Sequence, residues 1–381
     1  MAGVSGGTMI RLSKSCLSDA EKRAVMEVLD REYLGMGAEV QQFEQQLTAF
    51  IGRPAVCVVN GTAALHLALQ AVGLGEGDEV LVQSLTYLAS FQAISATNAR
   101  PVACDIDPET LCLDVRDAEA KLTSRTKAVV PVHYAGGAGK LDAIYAFART
   151  HGLRVVEDAA HAFGSIHHGK RIGARGDISC FSFDGIKNIT SGEGGCVVTD
   201  DQEVLGKIRD ARLLGIEKDT EKRFAGERSW EFDVTAQGWR YHMSNIMAAI
   251  GIEQLKRFPI MAGKRQELAC HYDRTLAGSQ WITPLKHDYT EVVPHIYVVR
   301  LPPTISRKQV QDQLMKAGIQ TGVHYQPNHQ LSYYARRGDC PCPNVERIFP
   351  SLLSLPLHPD MDTGDVEYIC QELHRACEIK L

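Results

Sequence analysis

Phe181-Ser182-Phe183-Asp184-Gly185-Ile186-Lys187-Asn188-Ile189-Thr190-Ser191-Gly192-Glu193-Gly194-Gly195 sets one lysine between two apolar runs. Residues 178–183 lead in as a short strand, and a glycine-rich turn leads out to Cys196-Val197-Val198-Thr199. A lysine flanked by buried strands loses hydration. Desolvation lowers its pKa toward the range in which the free amine attacks a carbonyl. From this stretch alone two readings stay open, a Schiff-base lysine and a loop lysine that merely follows a strand.

Outward from it, strand-like runs at 55–59, 79–83, 101–106, 127–133, 153–157, 178–183 and 195–199 alternate with helical stretches such as 89–97, 141–150 and 203–213. That alternation predicts a mostly parallel α/β sheet with helices on both faces, whose ligands bind at the carboxyl ends of the strands. Ahead of the sheet, Ser18-Asp19-Ala20-Glu21 is a capping box followed by Val25, Val28 and Leu29 at helical spacing. Val40, Phe43, Leu47 and Phe50 trace a second helix closed by Gly52-Arg53-Pro54. Past Gly238 the pattern changes. A helix from Ser244 should end before Pro259, then come a helix near 263–276, a strand at 292–301, a helix opened by Ser306 with Gln309, and a last helix at 365–378. The expected division is a large unit, 1–258, and a smaller C-terminal α+β unit, 259–381. Residues 1–8 read as a disordered leader or an expression remnant.

The 381 residues suffice for two such units, and 44% hydrophobic with 23% charged residues is ordinary globular composition. A formal charge of -5 provides no basic field, so neither nucleic acid nor an anionic membrane is expected as a primary partner. Eleven cysteines, odd in number and scattered, read as reduced thiols of a cytoplasmic protein. Cys340-Pro341-Cys342 is the only close pair, without a second pair at ligand spacing, and no metal is expected. No apolar run is long enough to span a membrane.

Three further stretches bear on the lysine. Asn60-Gly61-Thr62-Ala63-Ala64-Leu65 is a strand-to-helix junction that offers backbone N–H groups and a helix dipole to a phosphate, or is an ordinary N-cap. Val155-Val156-Glu157-Asp158-Ala159-Ala160-His161 puts an acid at a strand end. Asp158 suits the ring nitrogen of a pyridine, or caps the next helix; His161 donates to a phenol oxygen, or is a core histidine. Tyr87, after the 79–83 strand, lies flat on a heteroaromatic ring or packs in the core. Phosphate cradle, aromatic lid, aspartate and lysine follow in the order that pyridoxal 5'-phosphate (PLP) chemistry needs.

These residues, with Glu193-Gly194-Gly195 and His324-Tyr325-Gln326-Pro327-Asn328-His329, resemble the DegT/StrS group of sugar-nucleotide aminotransferases from about Gly35 to Pro359. The resemblance implies a fold type I, aspartate-aminotransferase-like α/β subunit. Its large domain would carry a mostly parallel seven-stranded sheet, with a smaller C-terminal α+β domain, in a homodimer whose active sites lie at the subunit interface. Lys187 matches the lysine that carries the cofactor, Asp158 the partner of the pyridine nitrogen, and Tyr87 the stacking ring. Gly61, Thr62, Ala63 and Ser182 match the phosphate cradle. His161 stands where many members carry glutamine, and His242 where an asparagine or arginine usually reaches the neighbouring subunit's cofactor phosphate.

The implied reaction is a two-stage transamination from glutamate to a nucleotide-linked keto-6-deoxyhexose. The leading substrate is dTDP-4-dehydro-6-deoxyglucose, giving the 4-amino sugar nucleotide for an O-antigen, another surface glycan or a natural product. A 3-keto sugar, a UDP- or GDP-sugar and an inosose fit the same motifs. From another class, a PLP-binding sensor without turnover would keep the fold. Arg240 and His329 are candidate substrate contacts, among Arg212, Lys218, Arg223 and Arg228 in segments expected near the cleft.

Overall fold

The computed structural model describes residues 9–336 and 340–378, and the leader expected at 1–8 lies outside them. Strands β1 (Ala55–Val58), β2 (Glu79–Gln83), β3 (Arg100–Cys104), β4 (Thr126–Val130) and β5 (Arg154–Asp158) are followed by a small ribbon of β6 (Ile166–His167) and β7 (Lys170–Arg171), then by β8 (Ile178–Ser182) and β9 (Gly195–Val198). Apart from that ribbon, these strands make one seven-stranded sheet in the order β1-β9-β8-β5-β4-β2-β3. β2 pairs parallel with β3 and β4, β4 with β5, and β5 with β8, while β9 runs against β1 and β8. The exception has a local cause. β8 and β9 are neighbours joined by the lysine-bearing turn, and a direct return makes the pair antiparallel. Each of the seven strands falls on a run predicted from apolar continuity, because strands covered on both faces carry apolar residues at every position.

The Ser18 box forms as predicted, with reciprocal bonds at the start of the Asp19–Asp30 helix, and Gly52 closes the Ala38–Ile51 helix at φ 90. Two expectations about the helices fail. The helix expected to stop before Pro259 is one helix, Asn245–Thr275, running through the proline. An interior proline costs about 3 kcal/mol, but Leu255, Phe258, Met261 and Ala262 around it are buried in the apolar cluster that takes in Phe43, Leu47 and Phe163. Burying such side chains contributes about 1.5–3 kcal/mol each, and packing prevails over the local rule. Ser306 does precede the Arg307–Lys316 helix, yet its side chain makes no capping bond.

A second sheet of β10 (Thr283–Pro284), β11 (Tyr297–Arg300) and β12 (Leu352–Leu355) is antiparallel throughout. With the Arg307–Lys316 and Thr363–Glu378 helices it encloses an apolar cluster drawn from 268–377, including Leu268, Tyr272, Leu353 and Leu373. The strand expected at 292–301 is only its second half. Ahead of it the backbone is held by side chains, Val293 N–H donating to Ser165 Oγ at 3.0 Å. All eleven cysteines are free thiols. Among the described residues no helix is long and apolar enough to cross a membrane.

Candidate active site

The carboxyl ends of β1, β2, β4, β5 and β8 meet at a cavity of about 350 Å³. Asp158, the last residue of β5, is buried there. Its carboxylate accepts Ser90 Oγ–H at 2.7 Å and the Ala160 N–H at 3.2 Å. The second bond is the local-turn role that the sequence left open. The first comes from another helix and orients the acid toward the cleft.

Lys187 sits in the turn between β8 and β9. Asn188 beside it pins the turn, donating to the carbonyls of Phe163 and Val293 at 3.1 Å each. Part of the lysine's surface faces the cleft, and protein atoms crowd its amine from the other sides. Burial brings the amine down to about 8, against the pull of Asp158 and then Asp184. Its hydrogen-bond partner is His295 Nε2 at 3.3 Å, and among the described residues it makes no ion pair. A solvated loop lysine has neither property.

The helix Gly61–Ala71 begins over the end of β8. A Cβ on Gly61 would come within 2.8 Å of Ser182 Cβ, and one on Gly195 within 2.7 Å of the Asn60 backbone. Glycine at both positions brings the helix start against β8 and β9. Asn60 is the N-cap, its side chain accepting the Ala63 N–H at 2.8 Å. That bond occupies the Ala63 N–H, while Gly61 and Thr62, ahead of it in the first turn, line the cavity beside Ser182. An anion is stabilised at such a helix start.

Tyr87, 60% exposed, opens the Leu88–Ala96 helix and overhangs the cavity, its ring 5.4 Å from that of Tyr325. It is no core residue. His161 is buried; its Nε2 pairs with Tyr325 Oη at 2.8 Å, and its Nδ1 has no partner among the described residues. Burial and then Lys187 hold this ring well below the ordinary histidine range, so it is neutral.

Other expected residues lie elsewhere. His242 and Arg240 are not in this chain's cavity; burial, then Arg223, lowers His242 to about 4. His329 is turned away, its Nδ1 2.5 Å from Ser84 Oγ and its Nε2 3.3 Å from Glu346. Arg212 is fully buried, pairing with Glu44 at 2.5 Å and donating to the Cys57 carbonyl at 2.6 Å. It is a structural ion pair and not a pyrophosphate ligand. Arg223 is likewise taken by Asp219 at 2.6 Å. The cavity wall also includes His324 and Tyr325, which lie in a quoted motif without an assigned role. Behind it, Ser90 bonds Asp158 and His295 bonds Lys187, and neither carries a local signal in the sequence. Away from the cleft, the His167 and His168 rings bond Asp142 at 3.4 and 2.6 Å, three ligand-type groups within 4.8 Å of one another.

PLP fits these residues on three counts. The Gly61–Ser182 approach shapes a phosphate seat that a Cβ would fill, the unpartnered His161 Nδ1 is buried at the cleft, and the buried amine shares one cavity with a buried carboxylate.

The comparisons with known proteins agree with this geometry. The chain is 39% identical over 360 residues to the spore coat polysaccharide biosynthesis protein SpsC of Bacillus subtilis, covering 92% of each. It is 38% identical over 365 residues to an uncharacterized protein of Methanocaldococcus jannaschii, covering 93% of this chain and 94% of that one. Among solved structures, PseC of Helicobacter pylori, an aminotransferase involved in the biosynthesis of pseudoaminic acid, superposes with a TM-score of 0.90 at 29% identity, covering 97% of this chain and 100% of PseC. The PLP form of a putative sugar aminotransferase from Streptococcus pneumoniae superposes at 0.91 with 30% identity, covering 98% and 100%. The sequence pattern of the DegT/DnrJ/EryC1/StrS aminotransferase family spans residues 15–374, and the chain belongs to that family as a PLP-dependent aminotransferase.

Proposed function

We propose that this enzyme moves an amino group from glutamate to the keto carbon of a nucleotide-linked 6-deoxyhexose, with dTDP-4-dehydro-6-deoxyglucose as the leading substrate and the 4-amino sugar nucleotide as product. The observation that carries the reading is the half-buried amine of Lys187, with no ion pair among the described residues, in one cavity with Asp158. Gly61, Thr62 and Ser182 would hold the cofactor phosphate, Tyr87 would cover the ring, Asp158 would keep its nitrogen protonated, and His161 would reach its phenol oxygen. Bound PLP supplies an electron sink for the carbon that loses a proton. With PLP bound, Lys187 Nζ would be the base that takes up and returns that proton. Two relatives support a sugar substrate by their names, SpsC for a spore coat polysaccharide and DesI, solved in the presence of its TDP-sugar product.

We further propose a cytoplasmic homodimer that completes each site from its partner. Trp230 at 84% exposed, Phe232 at 57% and Val234 at 46% leave an apolar strip open, which supports an interface there. His242, outside its own chain's cavity, suits a role at the partner's phosphate. The division into units 1–258 and 259–381 is kept as a proposal, with the Asn245–Thr275 helix as the strut shared by both.

Visible absorption tests the reading. Protein supplied with PLP should show the band of lysine-bound cofactor, lose it to the pyridoxamine form with glutamate, and regain it with one member of a keto-sugar nucleotide panel. Lys187→Ala should abolish turnover and keep the fold. A Lys187→Ala protein that still transaminates would sink the assignment, and a band untouched by glutamate would favour another donor or a sensor.

A further inference from the structure

Lys187 and His295 stand 108 positions apart, and the Nζ of one is 3.3 Å from the Nε2 of the other. The structure commits several buried groups to this meeting. Asn188 ties the lysine turn to the Val293 carbonyl, and Ser165 Oγ accepts the Val293 N–H at 3.0 Å. Arg265, buried in the long helix, donates to the carbonyls of His295 and Leu357 at 3.2 Å each and makes no ion pair among the described residues. A buried guanidinium without a carboxylate is costly for packing alone; here it seats the histidine.

The ring's Nδ1 is buried and has no partner among the described residues. The ring lies 4.5 Å from the His161 ring, tilted 52°. Facing the Lys187–His295 pair are Asp158 from β5, Asp184 from the turn, Arg265 from the long helix, His161 and His324. Burial and then the Lys187 charge keep His295 well below the ordinary histidine range. A neutral imidazole carries one N–H and one lone pair. With the proton on Nδ1, the Nε2 lone pair meets the amine.

We propose that His295 is a positioning residue for Lys187, its neutral ring accepting a hydrogen bond from Nζ and aiming the amine into the cleft. The inference rests on Lys187 being the lysine that carries PLP. It assigns His295 no bond to substrate or cofactor and no proton of its own to deliver.

The test compares His295→Leu, which keeps volume and loses the acceptor, with His295→Gln, which keeps an acceptor. In the cofactor-free protein, labelling of Lys187 by trinitrobenzenesulfonate is followed by mass spectrometry from neutral to alkaline pH. Removing an acceptor from the ammonium should lower the labelling midpoint by about one pH unit in His295→Leu, the order of a hydrogen bond to a charged group. His295→Gln should restore it. In the loaded enzyme, the glutamate half-reaction should slow about tenfold or more in His295→Leu with KM within about twofold, and recover in His295→Gln. A wild-type midpoint and rate in His295→Leu overturns the inference, as does a glutamine variant as impaired as the leucine one. If His295→Leu fails to fold, His295→Asn, too short to reach Nζ, takes its place with the same expectations. Failure of the underlying reading is separate: the wild-type protein would then form no lysine-bound PLP band.

Discussion

Replacing Lys187 by methionine should abolish transamination and, at neutral pH, make the cofactor-free protein more stable. Burial lowers the amine from its ordinary 10.5 to about 8 despite Asp158 and Asp184 nearby. The gap of about 2.5 units corresponds to about 3 kcal/mol at 1.36 kcal/mol per unit. Water in the open cleft screens part of it, so about 2 kcal/mol is the figure to test. The sign follows from proton counting. Between the folded and unfolded values the unfolded chain binds more protons, so stability rises with pH through that window. The lysine's unfavourable contribution is therefore complete below about pH 8 and gone above the unfolded value of 10.5. Methionine fills a similar volume, carries no charge and has no such window.

Urea unfolding of the two cofactor-free proteins across that range reads the difference directly. The variant should lead by about 2 kcal/mol at neutral pH, and the two curves should converge toward pH 10.5. A variant no more stable than wild type at neutral pH, or a gap that ignores pH, would refute the account of Lys187 as a desolvated amine. The result ties function to energetics, since a strained functional group lowers the stability of the fold that carries it.

Four other outcomes follow from particular positions. Gly61→Ala puts a Cβ 2.8 Å from Ser182 Cβ, an overpacking worth about 1–3 kcal/mol; PLP affinity should fall about tenfold to a hundredfold by visible titration. Gly206→Ala, in the Gln202–Ala211 helix with nothing within 4 Å, should leave affinity unchanged and add about 0.5–1 kcal/mol of stability. Arg212→Ala strands Glu44 in the core and should lose about 3–5 kcal/mol in urea unfolding, whereas full stability with weakened sugar-nucleotide binding would return Arg212 to the substrate site. Asp158→Asn should slow the glutamate half-reaction about a hundredfold or more in stopped-flow absorbance; an unchanged rate there would remove Asp158 from its role.

What was legible in the sequence is what a local pattern can encode. Val80-Leu81-Val82 reads as a strand buried on both faces because nothing else keeps three successive apolar residues dry, and Lys187 stands out because a charge between two such runs is out of place. Pro259 was misread for the converse reason. The rule that a proline ends a helix is local, while the burial of Phe258 and Met261 that overrides it depends on residues some two hundred positions away. Arg212 and Arg223 looked available for a pyrophosphate because Glu44 and Asp219 become partners only in three dimensions. His295 is the sharpest case. No motif around it announces a function, and its significance is a distance to Lys187 that exists only once Asn188, Ser165 and Arg265 have closed two separate segments onto each other. The residues proposed to do the chemistry sit at strand ends and can be read from strand patterns. The residue proposed to aim Lys187 is placed by tertiary hydrogen bonds, and no local pattern in the sequence marks such a contact.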